Sequence, residues 1–340
     1  GLRMRLLVVV VSVTHRTPAT MLAIVWLMLP LVACGLALSR PTATSDFELL
    51  RRSSGGGGPR VVFVGGNPGV ARYYDAAAAA LADQLDGDVA VLGLRGFFEG
   101  GGRPLRWWRD AWRWCRGRAE GCFSVDEQAA SVTALVAAEA AACAASGRKL
   151  VVVGHSIGGY LALRALKASG ADGVSVCVQP YLENNYADPE FEALRKLLEK
   201  PWAPLALAAV ASFAAFLGLL PRAARRPVLR ALGQTDGMDA AHEAMTCDAM
   251  CAFGNVFSMA ALGRSEMRSL AGPYEGPWPD ALLVADEPRD KWSPASGPLV
   301  DRARAGGSDV AVVSGVPHAF STAPASRSAV VAAIAAKVRE

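Results

Sequence analysis

The 340-residue chain reads as an α/β protein with a mostly parallel sheet, helices on both faces and an inserted helical cap. Three observations predict this. Short β-branched runs alternate with longer helical stretches from Arg60 onward. One of these runs, Leu150–Val153, enters a Gly-His-Ser-Ile-Gly turn and continues directly into a helical stretch. Between residues 183 and 275 the alternation gives way to Ala- and Leu-rich sequence of helical character, which reads as the cap.

Residues 1–40 precede this pattern. Ala19–Ser39 carries no charge, and about 20 helical residues span the roughly 30 Å of a bilayer core. Arg3, Arg5 and Arg16 come before it and Arg40 after it, so a targeting or anchoring leader is expected outside the main domain. Residues 41–59, with the run "SSGGGG", read as a flexible linker. The main domain, residues 60–340, then opens with strand Arg60–Val64, helix Tyr73–Leu85 and strand Asp88–Leu92. Helix Ser124–Ala145 follows, with Ser124 and Glu127 spaced as a capping box. Strands at Leu150–Val153, Gly173–Val178, Ala281–Ala285 and Asp309–Val313 complete the alternation.

Composition narrows the function classes. A hydrophobic fraction of 52% is ample for a large core, and a mean hydropathy of +0.25 points to apolar segments beyond it. The net charge of +4 does not suit a general nucleic-acid binder. Seven cysteines without paired CxxC spacing argue against a zinc site. Cys115 with Cys122, or Cys247 with Cys251, could pair, but the odd total favours reduced, buried thiols.

In so glycine-rich a chain, Gly154-x-Ser156-x-Gly158 is a weak signal alone. Its strand-to-helix context makes Ser156 a candidate nucleophile, lifted above the sheet edge over a helix N-terminus. A serine hydroxyl needs a base. Of the four histidines, His15 lies in the leader, His242 in the cap, and His155 should project away across the tight turn. His318, in "SGVPHAF" after a late strand, is the candidate base. The histidine needs an acid to hold its tautomer. "DEPRDKWSP" offers Asp286, Glu287 and Asp290 after strand Ala281–Ala285, and spacing does not choose among them. A tetrahedral oxyanion needs two N–H donors. Ile157 supplies one, and "VGGNPGV" the other, at Asn67 because Pro68 has no N–H. No metal or organic cofactor is needed for this chemistry.

Together "GGNPGV" with the following "YY", "GHSIGGY", "DKWSP" and "VPHAF" resemble the lipid droplet-associated hydrolase family over roughly residues 60–340, and "CDAMCAFGNVFSMAALGRSEM" resembles the end of that family's cap. The resemblance implies an α/β-hydrolase fold, consistent with the chain order Ser, acid, His. It implies a serine hydrolase acting on a lipid carboxylic ester, a sterol ester or other neutral lipid, at a lipid droplet or endoplasmic reticulum membrane. By motif, Ser156 matches the nucleophile and His318 the base. The family's Asp-x-Trp-x-Pro falls on Asp290, Trp292 and Pro294 and favours Asp290 as the acid. The long leader, the residues "EPRD" before that motif and the arginine-rich insert depart from the usual pattern.

Two stretches could meet a lipid surface. Leu205–Leu220 is uncharged, and its 16 residues reach about 24 Å as a helix, too short to span. Arg222, Arg225, Arg226 and Arg230 follow, suited to lipid head groups. A buried cap helix is the alternative, against which the resembling family's hydrophobic, droplet-attaching cap segment weighs. "RPLRWWRDAWRWCRGR" could lie at a membrane interface, stack on single-stranded nucleic acid, or pack its tryptophans inward. The expected partners are a lipid substrate and a lipid surface, with no nucleic acid and no obligate protein partner. A different class fits the same apolar segments: a lipid-surface tether on a hydrolase scaffold with little turnover.

Overall fold

The computed structural model describes residues 47–98, 124–286 and 290–340. The leader, the start of the linker, the Trp-Arg stretch, Cys115, Cys122 and Glu287 lie outside the described residues.

Strands β1 (Leu49–Ser53), β2 (Arg60–Val64), β3 (Asp88–Leu92), β4 (Leu150–His155), β5 (Val174–Val178), β6 (Ala281–Ala285) and β7 (Asp309–Val313) form a seven-stranded sheet in the order β1-β3-β2-β4-β5-β6-β7. All neighbouring pairs are parallel except β1 with β3. The inner strands are buried on both faces, as their largely apolar sequence requires. Helices α1 (Asp75–Leu85), α2 (Val125–Ser146) and α3 (Ile157–Ser169) fall in the expected places. Ser124 and Glu127 form the capping box, and Gly147 ends α2 at φ 66°. By length and composition α2 is the one described helix able by itself to cross a bilayer, yet it packs against α3, β2 and β4.

Strand β1 corrects the expectation of a flexible linker over 41–59. Its sequence, LLRRS, has two apolar residues and no alternation, so nothing in it marks a strand. The order comes from tertiary partners. The β3 edge supplies a ladder, Arg51 pairs with Glu139 at 2.7 Å, and Arg52 pairs with Asp75 at 2.6 Å.

The cap consists of α4 (Pro189–Leu198), α5 (Ala203–Gly218), α6 (Arg222–Ala231), α7 (Ala240–Ala249) and α8 (Phe253–Ser269); α9 (Pro298–Ala305) and α10 (Pro324–Arg339) return to the main layers. Helix α5 divides the expected surface stretch into two faces. Ala208, Ala211 and Ala214 pack against Phe253, Val256 and Phe257 of α8. Leu205, Phe213 and Phe216, with Trp202 and Leu219 at its ends, are exposed. Leu207 is partly buried against α8. The arginines that follow are ion-paired within the cap. Arg222 and Arg225 pair with Asp248, and Arg226 and Arg230 with Glu243, both acids on α7. Cys247 and Cys251 are free, buried thiols.

Candidate active site

Ser156 sits between β4 and α3 at φ 55°, ψ −129°, a left-handed conformation that a non-glycine residue adopts only when its surroundings impose it. Here they do. Its N–H donates to the Val178 carbonyl at 3.1 Å, and its carbonyl accepts from Gly159 N at 2.9 Å and Tyr181 N at 3.0 Å. The crossing of strand and helix leaves no room for side chains. A Cβ on Gly154 would lie 2.4 Å from Gly158 O, and one on Gly158 would lie 2.3 Å from Val64 O.

His318 lies in the loop after β7, and Asp290 in the loop after β6. The His318 ring bridges the other two side chains, with Nδ1 2.8 Å from Asp290 Oδ2 and Nε2 3.1 Å from Ser156 Oγ. Asp290 as a carboxylate only accepts, so Nδ1 carries the proton and Nε2 is left to accept from the serine hydroxyl. Burial of Asp290 favours its neutral form. The His318 ring, together with the N–H groups of Ser293 and Trp292 on Oδ1, outweighs that and holds the carboxyl below the usual range. Trp292 anchors this loop by packing edge-on against Tyr181 and Phe191, at ring-centroid distances of 5.3 and 5.5 Å. Asp286 is exposed and accepts from Gly315 N–H instead.

The loop after β2 runs against the serine turn. A Cβ on Gly66 would come 2.8 Å from Ser156 Cβ. The amide N–H groups of Asn67 and Ile157 donate to no described residue, whereas Gly66 N–H donates to the Tyr74 hydroxyl. The Asn67 carboxamide turns toward the cap. Its Nδ2 donates to Met259 O at 2.9 Å and to Glu266 Oε1 at 3.3 Å. Glu266 is buried, and burial pushes its pKa up to about 8 against the pull of the Asn67 hydrogen bond.

Ser156, Asp290, His318 and the loop bearing Asn67 therefore meet at one point on the carboxyl ends of the parallel strands, beside the Ile157 amide. Asp286 and His242 stand apart. His242 reaches Asp239 and the Tyr73 carbonyl. Tyr74, His155 and Glu266 were not legible as parts of the site. The paired tyrosines after the glycine loop are a signal that could have found Tyr74.

The profile of the family described as lipid-droplet associated hydrolase matches residues 58–321. No curated protein sequence matches the chain. Among solved structures, a soluble variant of monoglyceride lipase from Saccharomyces cerevisiae in complex with a substrate analogue is similar with TM-score 0.53 and 13% identity, over 88% of this chain and 93% of that one. A bromoperoxidase from Bacillus anthracis is similar with TM-score 0.51 and 16% identity, over 87% and 97%. At such identities the likeness is one of fold, and it places the sheet and its helices among the α/β-hydrolases.

Proposed function

The chain belongs to the lipid-droplet associated hydrolase family, and from that premise we propose that it cleaves a carboxylic ester of a lipid, a sterol ester or other neutral lipid, with Ser156 as nucleophile. The observation that carries the proposal is the continuous line from Asp290 through His318 to the Ser156 hydroxyl. His318 Nε2 takes the hydroxyl proton as Ser156 Oγ bonds to the ester carbonyl carbon. Asp290 stabilises the charged ring and keeps its orientation. The carbonyl oxygen gains the negative charge, which the amides of Ile157 and Asn67 are placed to receive. The ring then returns the proton to the departing alcohol. In the second half His318 Nε2 takes a proton from water as the water oxygen bonds to the acyl carbon, and returns it to Ser156 Oγ as the Oγ–carbon bond breaks and the acid leaves.

The exposed stripe of α5 gives this chemistry a route to a water-insoluble substrate. Leu205, Phe213, Phe216 and Leu219 lie open on the cap that covers the site's side of the sheet, and they suit insertion into a droplet surface or the endoplasmic reticulum membrane.

A fluorophosphonate probe tests the reading. It should bond covalently to the wild-type chain at Ser156 and leave a folded Ser156→Ala variant unlabelled. Lipid extracts incubated with each form then name the ester, as the species lost only with the wild type. Equal labelling of both forms, or a wild type that binds lipid without turnover, would remove the hydrolase assignment of this site and leave a tether.

A further inference from the structure

Three hydrogen bonds join loops that the sheet order keeps apart. Gly66 N–H, in the loop after β2, donates to the Tyr74 hydroxyl at 2.8 Å. That hydroxyl lies 2.7 Å from His155 Nδ1. His155 Nε2 lies 2.8 Å from the backbone carbonyl oxygen of His318. The direction of each bond follows from the last. A carbonyl oxygen only accepts, so Nε2 carries the ring proton. Nδ1 of a neutral ring accepts, so the Tyr74 O–H donates to it. The Tyr74 oxygen is then free to accept from Gly66. The three bonds are satisfied together with one proton on the ring, and a second proton on Nδ1 would displace the tyrosine hydrogen.

The surroundings favour the same state. The ring is 5% exposed and lies 5.1 Å from Phe320, edge to face, and 5.0 Å from the His318 ring. Burial, with His318 beside it, pushes the His155 pKa down to about 3. The His155 ring therefore stays neutral across the range in which an ester hydrolase works.

The network answers a geometric problem. His318 follows β7, an edge strand separated from β4 by β6 and β5. Its loop must return across the top of the sheet to reach Ser156 at the end of β4. Asp290 holds only its side chain. His155, next to the nucleophile in sequence, holds its backbone.

We propose that His155 is a positioning residue, whose ring ties the backbone of the base-bearing loop to the oxyanion loop through Tyr74. This rests on the ester-hydrolase reading of Ser156, Asp290 and His318. His155 moves no proton in the reaction. It fixes how far His318 Nε2 stands from Ser156 while Tyr74 holds Gly66, one residue before the oxyanion amide at Asn67. Small displacements of this kind are costly, since misplacing reacting groups by about 1 Å lowers rates by about 10²-fold.

The test uses the full chain and a soluble short-chain nitrophenyl ester, with fluorophosphonate labelling alongside. Tyr74→Phe and His155→Leu should each lower kcat by roughly 10- to 100-fold while KM moves by less than about twofold. The double variant should be no slower than the slower single one, because both changes break the same chain of bonds. His155→Gln, whose side-chain N–H can reach the His318 carbonyl, should recover much of the loss. Its pH–rate profile should keep the wild-type shape at a lower plateau. Tyr74→Phe removes a single oxygen and carries the test alone if His155→Leu fails to fold, as circular dichroism would show. Wild-type kcat in folded Tyr74→Phe, or losses that multiply in the double variant, would overturn the proposal. So would a His155→Gln profile that lacks a limb, because His155 would then be a proton carrier. A wild-type chain that neither turns over nor labels at Ser156 overturns the hydrolase reading together with this one. An active wild type beside an equally active Tyr74→Phe overturns this one alone.

Discussion

Asp286 accepts the N–H of Gly315, three residues before His318, at 2.7 Å, and so braces the loop that carries His318 without touching its ring. Asp290, four residues further along, takes the ring itself. The two carboxylates therefore separate by role. Asp290→Asn should lower kcat by as much as ~10⁴-fold, because an amide in place of the carboxylate no longer enforces the proton on Nδ1. Asp286→Asn keeps an acceptor for Gly315 and should cost far less. Steady-state kinetics on both variants, with thermal melts to confirm folding, checks the ranking.

Glu266 should make stability fall as pH rises. Its folded pKa of about 8 stands above the ordinary 4.5, so between these values the folded state holds a proton that the unfolded state has released. Stability linked to this group is complete below about pH 4.5, declines through the interval and levels off above about pH 8. Each unit of difference corresponds to about 1.4 kcal/mol. Glu266→Gln keeps an acceptor for Asn67 and should remove the decline. Urea unfolding at pH 5 and pH 8.5 should show the variant gaining on the wild type only at the higher pH.

A methyl group on Gly158 would meet two backbone oxygens, Val64 O at 2.3 Å and Gly65 O at 2.5 Å. Backbone atoms of an inner strand do not move aside cheaply. Gly158→Ala should lose about 1–3 kcal/mol of stability, and its labelling by a fluorophosphonate should slow because the displaced loop carries the amide proposed to receive the oxyanion. Denaturant titration and labelling rates read the two effects separately.

The exposed face of α5 should control surface attachment without touching the chemistry. Replacing Leu205, Phe213 and Phe216 by Gln should weaken binding to neutral-lipid droplets by about 1 kcal/mol per side chain and leave turnover of a soluble ester unchanged. Flotation measures the first and esterase kinetics the second. A truncated chain for this purpose should start before Leu49, since a start at Arg60 removes β1 and unpairs Glu139 from Arg51. Because four arginines share Asp248 and Glu243, attachment should depend only weakly on anionic lipid.

The legible parts of this protein were those that local physics decides. Strands β2, β3, β6 and β7 were read to the residue, because short apolar runs between turns have one economical use in a parallel sheet. Ser156 and His318 were legible from their places after strands. The choice of Asp290 needed the family motif, since three carboxylates follow β6 closely and only the folded loop decides which one reaches the ring. Strand β1 was illegible because its order is lent by β3, Glu139 and Asp75. The ion pairs of the α6 arginines were illegible for the same reason: their partners lie on α7, up to 26 residues away. The three-bond network of His155 was illegible, because it exists only once β2, β4 and β7 lie in one sheet.

Helix α8 touches both extremes of the molecule. On one side it receives the alanine face of α5, whose other face is the open apolar stripe. On the other it holds the carboxamide of Asn67 through Met259 and Glu266. The helix that carries the open apolar stripe and the Asn67 carboxamide thus rest on the same helix. A change that shifts α8 therefore disturbs the packing of α5 and the seat of the Asn67 carboxamide together.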